Sequence, residues 1–246
     1  MSIQKHDFVE IEYTGILKGD NVVFDTTSEA DAKKHGVHRQ GAKYGPMTVC
    51  IGEHFLLSGL EDFLVGKEIG KEYKVDISPE NGFGKKDSKL IQMMPLSKFK
   101  ESKIQPFPGL QINVDGSVGM VKTVGGGRVM IDFNHPLSGK ELSYTIAIKS
   151  TVSDEKKKVD AYLNHLGMDN LDIKAENGVV DVGLHMELPK DIAEQFTKRI
   201  KEIIPTIKDV KFTLKERAKG EKHEHSHEHG HEHHDHSHSH EHGHHH

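Results

Sequence analysis

A chain of 246 residues can hold one large domain or two to three small ones. Its formal charge of −5 sits in the last segment, where Glu221 to His246 holds six acidic residues against Lys222 alone. The remainder is formally neutral and offers no electrostatic case for a nucleic-acid or membrane partner. Cys50 is the only cysteine, so an intrachain disulfide is excluded. Its neighbours Val49 and Ile51 point to a buried, inert thiol rather than a nucleophile. The first residues, MSIQKHDFVE, lack the apolar core of a secretion signal. No stretch reaches the ~18 apolar residues of a membrane helix. A soluble, cytoplasmic protein is expected.

In chain order, Val9, Ile11 and Tyr13 alternate like a half-buried strand. Gly19-Asp20-Asn21 turns the chain into a second strand at Val22-Val23-Phe24. Residues 29–47 are polar and rich in Gly, Lys and His, and read as a long loop without chemistry. Val49 and Ile51 suggest a third strand. Leu56, Leu57, Leu60, Phe63 and Leu64 follow helical spacing, with Gly66 as the stop. Tyr73, Val75 and Ile77 alternate again.

From Lys86 to Phe133 the texture changes. Met93, Met94, Met120 and Met130 are half of the chain's eight methionines. Methionine is flexible and polarisable, which suits a surface that accepts varied apolar partners, although it fills small cores equally well. Tyr144, Ile146 and Ile148 form a strand able to rejoin the first sheet, which makes the methionine-rich stretch an insertion. Val159, Tyr162, Leu163 and Leu166 then mark a helix. Asn177-Gly178 marks a hairpin. Ile192, Phe196, Ile200, Ile203 and Ile204 mark a second helix ended by Pro205, and Val210, Phe212 and Leu214 a last strand. This α-β-β-α-β unit has few large side chains, so pairing with its own copy is expected to complete its core.

Five segments in order resemble the FKBP-type peptidyl-prolyl isomerases: VEIEYTGIL, VFDTT, IGEHFLLSGLEDFLVG, SPENGFG and LSYTIAI. The stretch between Gly84 and His135 resembles the insert-in-flap module of the SlyD-type branch, and the last unit that of long-type archaeal members. The resemblance implies an α+β fold: an antiparallel half-barrel wrapped on a short helix, with an inserted β-rich flap domain and a C-terminal α-β-β-α-β domain. The isomerase domain would be residues 1–85 and 134–152, the chaperone-like insert 86–133, the C-terminal domain 153–217, and a disordered His-rich tail 218–246.

Carried over by position, the catalytic pocket would comprise Tyr13, Phe24, Asp25, Leu56, Leu57, Leu60, Phe83 and Tyr144. Leu60 stands where many members carry a Trp floor, which implies a softer floor and weak binding of macrolide inhibitors. Phe83 stands where many carry Tyr, so a rim hydroxyl is missing. The bland account of Asp25 is a turn cap through Thr26 or Thr27. His135 would lie at the rim, and Met93, Met94, Met120 and Met130 would contact substrate. The clients would be unfolded or proline-containing proteins, with no cofactor required for isomerisation.

In the tail, His223, His225, His227, His229, His231, His233, His234, His236, His238, His240 and His242 alternate with carboxylates, a composition suited to Ni or Zn. Two other functions compete with the enzyme: a holdase chaperone with weak isomerase activity, and a nickel or zinc metallochaperone.

Overall fold

The computed structural model describes residues 2–215, so the tail histidines lie outside the described residues. The chain forms three sheets, the second of them from a stretch that lies between two strands of the first.

The first sheet is built on β1 (Phe8–Leu17). Its apolar residues at alternate positions enter one face, and Val9 and Ile11 are fully buried. One edge of β1 is shared: its first half pairs with β3 (Met47–Cys50) and its second half with β2 (Val22–Thr26). The other edge pairs along its whole length with β9 (Leu142–Thr151), which carries β4 (Glu72–Ile77) on its far side. The short helix α2 (Ser58–Leu64) lies on the buried face through Leu60 and Leu64. Leu56 and Leu57 precede this helix rather than belonging to it. Gly66 ends it at φ 79°, a conformation that only glycine adopts freely.

The stretch 29–47 is not all loop. Residues Glu29–Lys34 form a helix, α1, capped by the Ser28 hydroxyl, which accepts from the Asp31 N–H. Acidic residues in its first turn and lysines in its last complement the helix dipole. Ala32 is its one buried residue, so no apolar periodicity announced it.

After Gly84 the chain enters a four-stranded antiparallel sheet: β5 (Ile91–Pro95), β6 (Gln111–Val114), β7 (Ser117–Gly125) and β8 (Arg128–Asp132), in the order β5-β8-β7-β6. Helix α3 (Leu96–Glu101) covers one face with Phe99, over Ile112, Val121, Val129 and Ile131. Gly126 and Gly127, both at positive φ, make the tight β7–β8 turn.

The two crossings between this sheet and the first are clasped by Asp132. Its carboxylate accepts from Lys86 Nζ at 2.8 Å, the Asn134 side-chain amide at 2.8 Å and the Asn134 N–H at 3.0 Å. Asn134 in turn holds the backbone of Asp87. Burial would raise the Asp132 pKa, but these donors outweigh it and hold the group at about 2, below the ordinary 3.8. The ionised form is therefore favoured by folding. Its contribution is complete above pH 3.8 and is lost as pH falls towards 2. Amide NMR signals of β7 and β8 are expected to lose dispersion in that window, and Asp132→Asn to remove that part of the acid transition.

The last unit comprises α4 (Glu155–His165), β10 (Asp172–Glu176), β11 (Val179–Leu184), α5 (Lys190–Ile203) and β12 (Asp209–Leu214). Asn177 and Gly178, at φ 53° and 79°, form the β10–β11 hairpin turn. α5 is the crossover that brings β12 parallel to β11. The expected shortage of core is made up within the chain: Phe8, Cys50 and Val152 of the first unit join the buried cluster of Val159, Leu163, Val180, Val182, Ile200 and Ile203. Cys50 is wholly buried there, and burial next to Glu53 and Glu61 pushes its thiol up to about 12, which makes it a poor nucleophile.

Candidate active site

The site is organised around Gly15. On β1 it faces Asp25 of β2 on one side and Tyr144 of β9 on the other. A bulge follows: Gly15 pairs with Asp25 and Ile16 with Val23, so Phe24 is left as the extra residue. Bulges re-aim side chains, and here the Phe24 ring lies over Gly15. A Cβ on Gly15 would stand 2.7 Å from Phe24 Cζ and 2.9 Å from Tyr144 Cε1. The missing side chain is what lets the two rings meet.

They meet edge to face, centroids 5.7 Å apart and planes at 88°. Tyr13 closes on Tyr144 at 5.8 Å, and Phe83 on Phe24 at 6.5 Å. Leu60 is buried in one cluster with Tyr144, and Leu56 and Leu57 pack on the same cluster. Thus seven of the sequence-derived pocket residues share one apolar cluster. The expectation omitted four further members, Leu17, Val75, Ile77 and Leu142. Three were legible from alternation: Val75 and Ile77 with Tyr73, and Leu142 with Tyr144.

Asp25 is the polar member. Its Oδ2 accepts from the Tyr13 hydroxyl at 2.8 Å, and its Oδ1 from the Thr26 N–H at 3.1 Å. The turn-cap account therefore holds for one oxygen and leaves the other to Tyr13. Thr27 does not cap Asp25. Its hydroxyl accepts from the Tyr13 N–H at 2.9 Å, and its own N–H donates to the Tyr13 carbonyl at 3.0 Å. The end of β2 is thus sewn to Tyr13. Burial first, then the nearby Asp25 charge, raises the pKa of both the Tyr13 and Tyr144 phenols. Both remain protonated donors at neutral pH.

His135 is exposed at the rim and stacks flat on Phe83, centroids 4.4 Å apart and planes at 4°. The methionines divide. Met93 and Met130 are cross-strand partners, and Met120 lies opposite Asp132 in the adjoining row on the same face. Met93 is 61% exposed and Met120 37%. Met94 is displaced by one residue, so it turns to the opposite face and packs with Phe99 and Val129. Met94 belongs with the core of the insert, apart from the other three.

Among the described residues no group of three or more His, Cys, Asp or Glu could hold a metal ion, and no helix is long and apolar enough to cross a membrane.

Gly15→Ala is expected to push both rings off their contacts while β1 stays paired. Overpacking of this kind costs about 1–3 kcal/mol. A loss of about tenfold in kcat/KM on the site's substrate, at a melting temperature that leaves the protein folded, is the expected readout.

Comparison with known proteins agrees with this geometry. Residues 1–100 match the family model for FKBP-type peptidyl-prolyl cis-trans isomerase, and residues 92–137 match a model described as the FKBP26 IF domain. The chain is 35% identical over 155 residues to a short-type peptidyl-prolyl cis-trans isomerase of Methanocaldococcus jannaschii, covering 63% of this chain and 98% of that one. It is 30% identical over 155 residues to the FKBP-type isomerase SlyD of Haemophilus influenzae, covering 60% and 72%. It is 27% identical over 151 residues to the FKBP-type 16 kDa isomerase of Escherichia coli K12, covering 60% and 92%. With five motifs in order, the ring cluster around Gly15 and this likeness over nearly all of the archaeal relative, the chain belongs to the FKBP-type peptidyl-prolyl cis-trans isomerases and is an enzyme of that type.

Proposed function

We propose that the Xaa-Pro bond turns in the cup formed by Tyr13, Phe24, Asp25, Leu56, Leu57, Leu60, Phe83 and Tyr144, and that the clients are unfolded or partly folded proteins. The amide is planar through resonance, and its rotation barrier is about 20 kcal/mol. No covalent bond forms or breaks, so catalysis needs only that the twisted amide be bound better than either planar form. In the twisted state the C–N bond loses double-bond character and the carbonyl sheds charge. An apolar aromatic cup suits that state better than water does, and it grips the proline ring by area burial. The observation that carries this assignment is the Tyr13–Asp25 pair, 2.8 Å long, set in a ring cluster. Tyr13 orients Asp25, and Asp25 stabilises the twisted amide electrostatically. Phe83 has no hydroxyl, whereas Tyr144 carries one in the same cluster, able to donate to a substrate carbonyl.

The insert would hold the client beside the cup. Leu90, Ile91, Met93, Ile104, Phe107, Val118 and Met120, all between residues 90 and 120, are large apolar side chains left exposed. Such a surface suits unfolded chain of varied sequence. Tethering raises the effective concentration of proline bonds at the cup. His135, stacked on Phe83 where the chain leaves the insert, would guide the bound segment. Met130 and Met120 belong to this surface, and Met94 does not.

The rate of a proline-limited refolding reaction tests this. The protein should accelerate it far more than it accelerates a short peptide. Equal acceleration of both would mean that the insert holds nothing. Aggregation suppression without any acceleration would favour the holdase reading.

Two further assignments are part of the proposal. The histidine-rich tail binds Ni or Zn, supported by its alternation of imidazole and carboxylate. A chelator should therefore strip metal and leave peptide isomerisation unchanged. The C-terminal unit pairs with its own copy, supported by β12, which stands at the end of its sheet among the described residues, and sedimentation as a monomer at micromolar concentration would remove that idea. We place the protein in the cytoplasm, supported by a cysteine count that allows no internal disulfide.

A further inference from the structure

The segment between β3 and α2 leads straight into the wall of the cup. Its residues Glu53 and Phe55 face the C-terminal unit. Arg199, on α5, donates from Nη2 to both oxygens of Glu53, at 2.7 and 2.6 Å. The Glu53 side chain is only 6% exposed, and His6 Nε2 lies 3.2 Å from the same carboxylate. Two residues on, Phe55 stacks on His165 at the end of α4, centroids 4.1 Å apart and planes at 13°. Phe55 also packs against the cores of both units.

The intervening backbone is fixed from the other side. The N–H groups of His54 and Leu56 donate to the two oxygens of Glu61 on α2, at 3.3 and 3.2 Å. Glu61 is 5% exposed, and His54 holds a φ of 59°, unusual for a residue with a side chain. The segment is thus pinned between α2 and the C-terminal unit, and the chain leaves it at Leu56 and Leu57. Contacts that only glued two units together could lie anywhere on the interface. These end one and three residues from the wall of the cup.

We propose that Arg199, Glu53 and the Phe55–His165 stack are positioning residues for isomerisation, through which the C-terminal unit sets the placement of Leu56 and Leu57. The proposal rests on the assignment of Leu56 and Leu57 to the cup. The C-terminal unit, which begins at Glu155, lies beyond both matched family models, which end at residues 100 and 137. A misplacement of about 1 Å in a binding wall can cost up to ~100-fold in rate.

The test uses the full-length protein. Arg199→Gln and Glu53→Gln are compared with wild type for kcat/KM on an Xaa-Pro tetrapeptide, well below the melting temperature, and for the methyl NMR shifts of Leu56 and Leu57. Each single variant is expected to lose about three- to tenfold in kcat/KM. The double variant should lose no more than the worse single, and the methyl signals should move. Arg199→Lys keeps the charge without the fork and should fall between the two, which provides a folded variant if Arg199→Gln is unstable. Unchanged kcat/KM or unmoved methyl signals in these variants would overturn the proposal. Leu56→Ala and Leu57→Ala separate it from the assignment beneath it. If both retain full activity the cup is misassigned and the device falls with it, whereas if they lose activity and the Arg199 variants do not, only the device is wrong.

Discussion

Asp25→Ala is expected to lower kcat/KM on an Xaa-Pro tetrapeptide by about 10- to 100-fold with the fold retained. Asp25 is half-buried and accepts from the Tyr13 hydroxyl and the Thr26 N–H. A hydrogen bond to a charged group is worth about 1.5–3 kcal/mol, which converts to that range of rate if the carboxylate acts only on the twisted amide. The loss should appear in kcat more than in KM, because the planar substrate has less to gain from the charge. Tyr13→Phe should lose less, since the carboxylate stays and only its orientation loosens. The double variant should be no worse than Asp25→Ala alone, because the two groups act as one unit. Additive losses would mean that Tyr13 reaches substrate by itself.

The second large effect lies on the insert and leaves the peptide reaction alone. Met93→Glu combined with Met120→Glu places two charges on the exposed face of that sheet, away from the cluster of Phe99, Val121 and Ile131. Catalysis of a proline-limited protein refolding is expected to fall by about 100-fold, the lower end of what tethering contributes. Activity on a tetrapeptide should stay within about twofold, because the cup is untouched. A parallel loss on both substrates would show that the charges disturb the cup through the Asp132 clasp. A control with Met94→Glu should instead unfold the insert, since Met94 packs into its core.

Much of the first sheet and of the cup was legible from residues alone. Val9 and Ile11 announce β1 because one face of a half-buried strand must be apolar at every second position. Tyr144 and Ile146 announce β9 in the same way, and the family motifs name Asp25 and Phe83. Other features were hidden for physical reasons. α1 has a single buried residue, so no period exists to detect. Gly15 matters through what it leaves out, and an absent side chain has no pattern. The turn of Met94 away from Met93 follows from register, which a list of methionines does not carry. Alternation from Val9 and Val49 puts Phe8 and Cys50 on the opposite face of the sheet, and it cannot say that α4 and α5 bury them there. The expectation that the last unit lacked core arose there, since it sought the missing side chains in a second copy and not in Phe8, Cys50 and Val152 of the same chain.

The bond between Tyr13 and Asp25 puts a carboxylate in an apolar cup, and the enzyme's central property should depend on it without metal. Exchange NMR of a short Xaa-Pro peptide, in chelator, with wild-type protein and with Asp25→Ala, reads this directly. Strong acceleration of cis-to-trans exchange by the wild type, largely lost in the variant, is the expected result. Equal acceleration by both proteins would contradict the placement of catalysis in this cup.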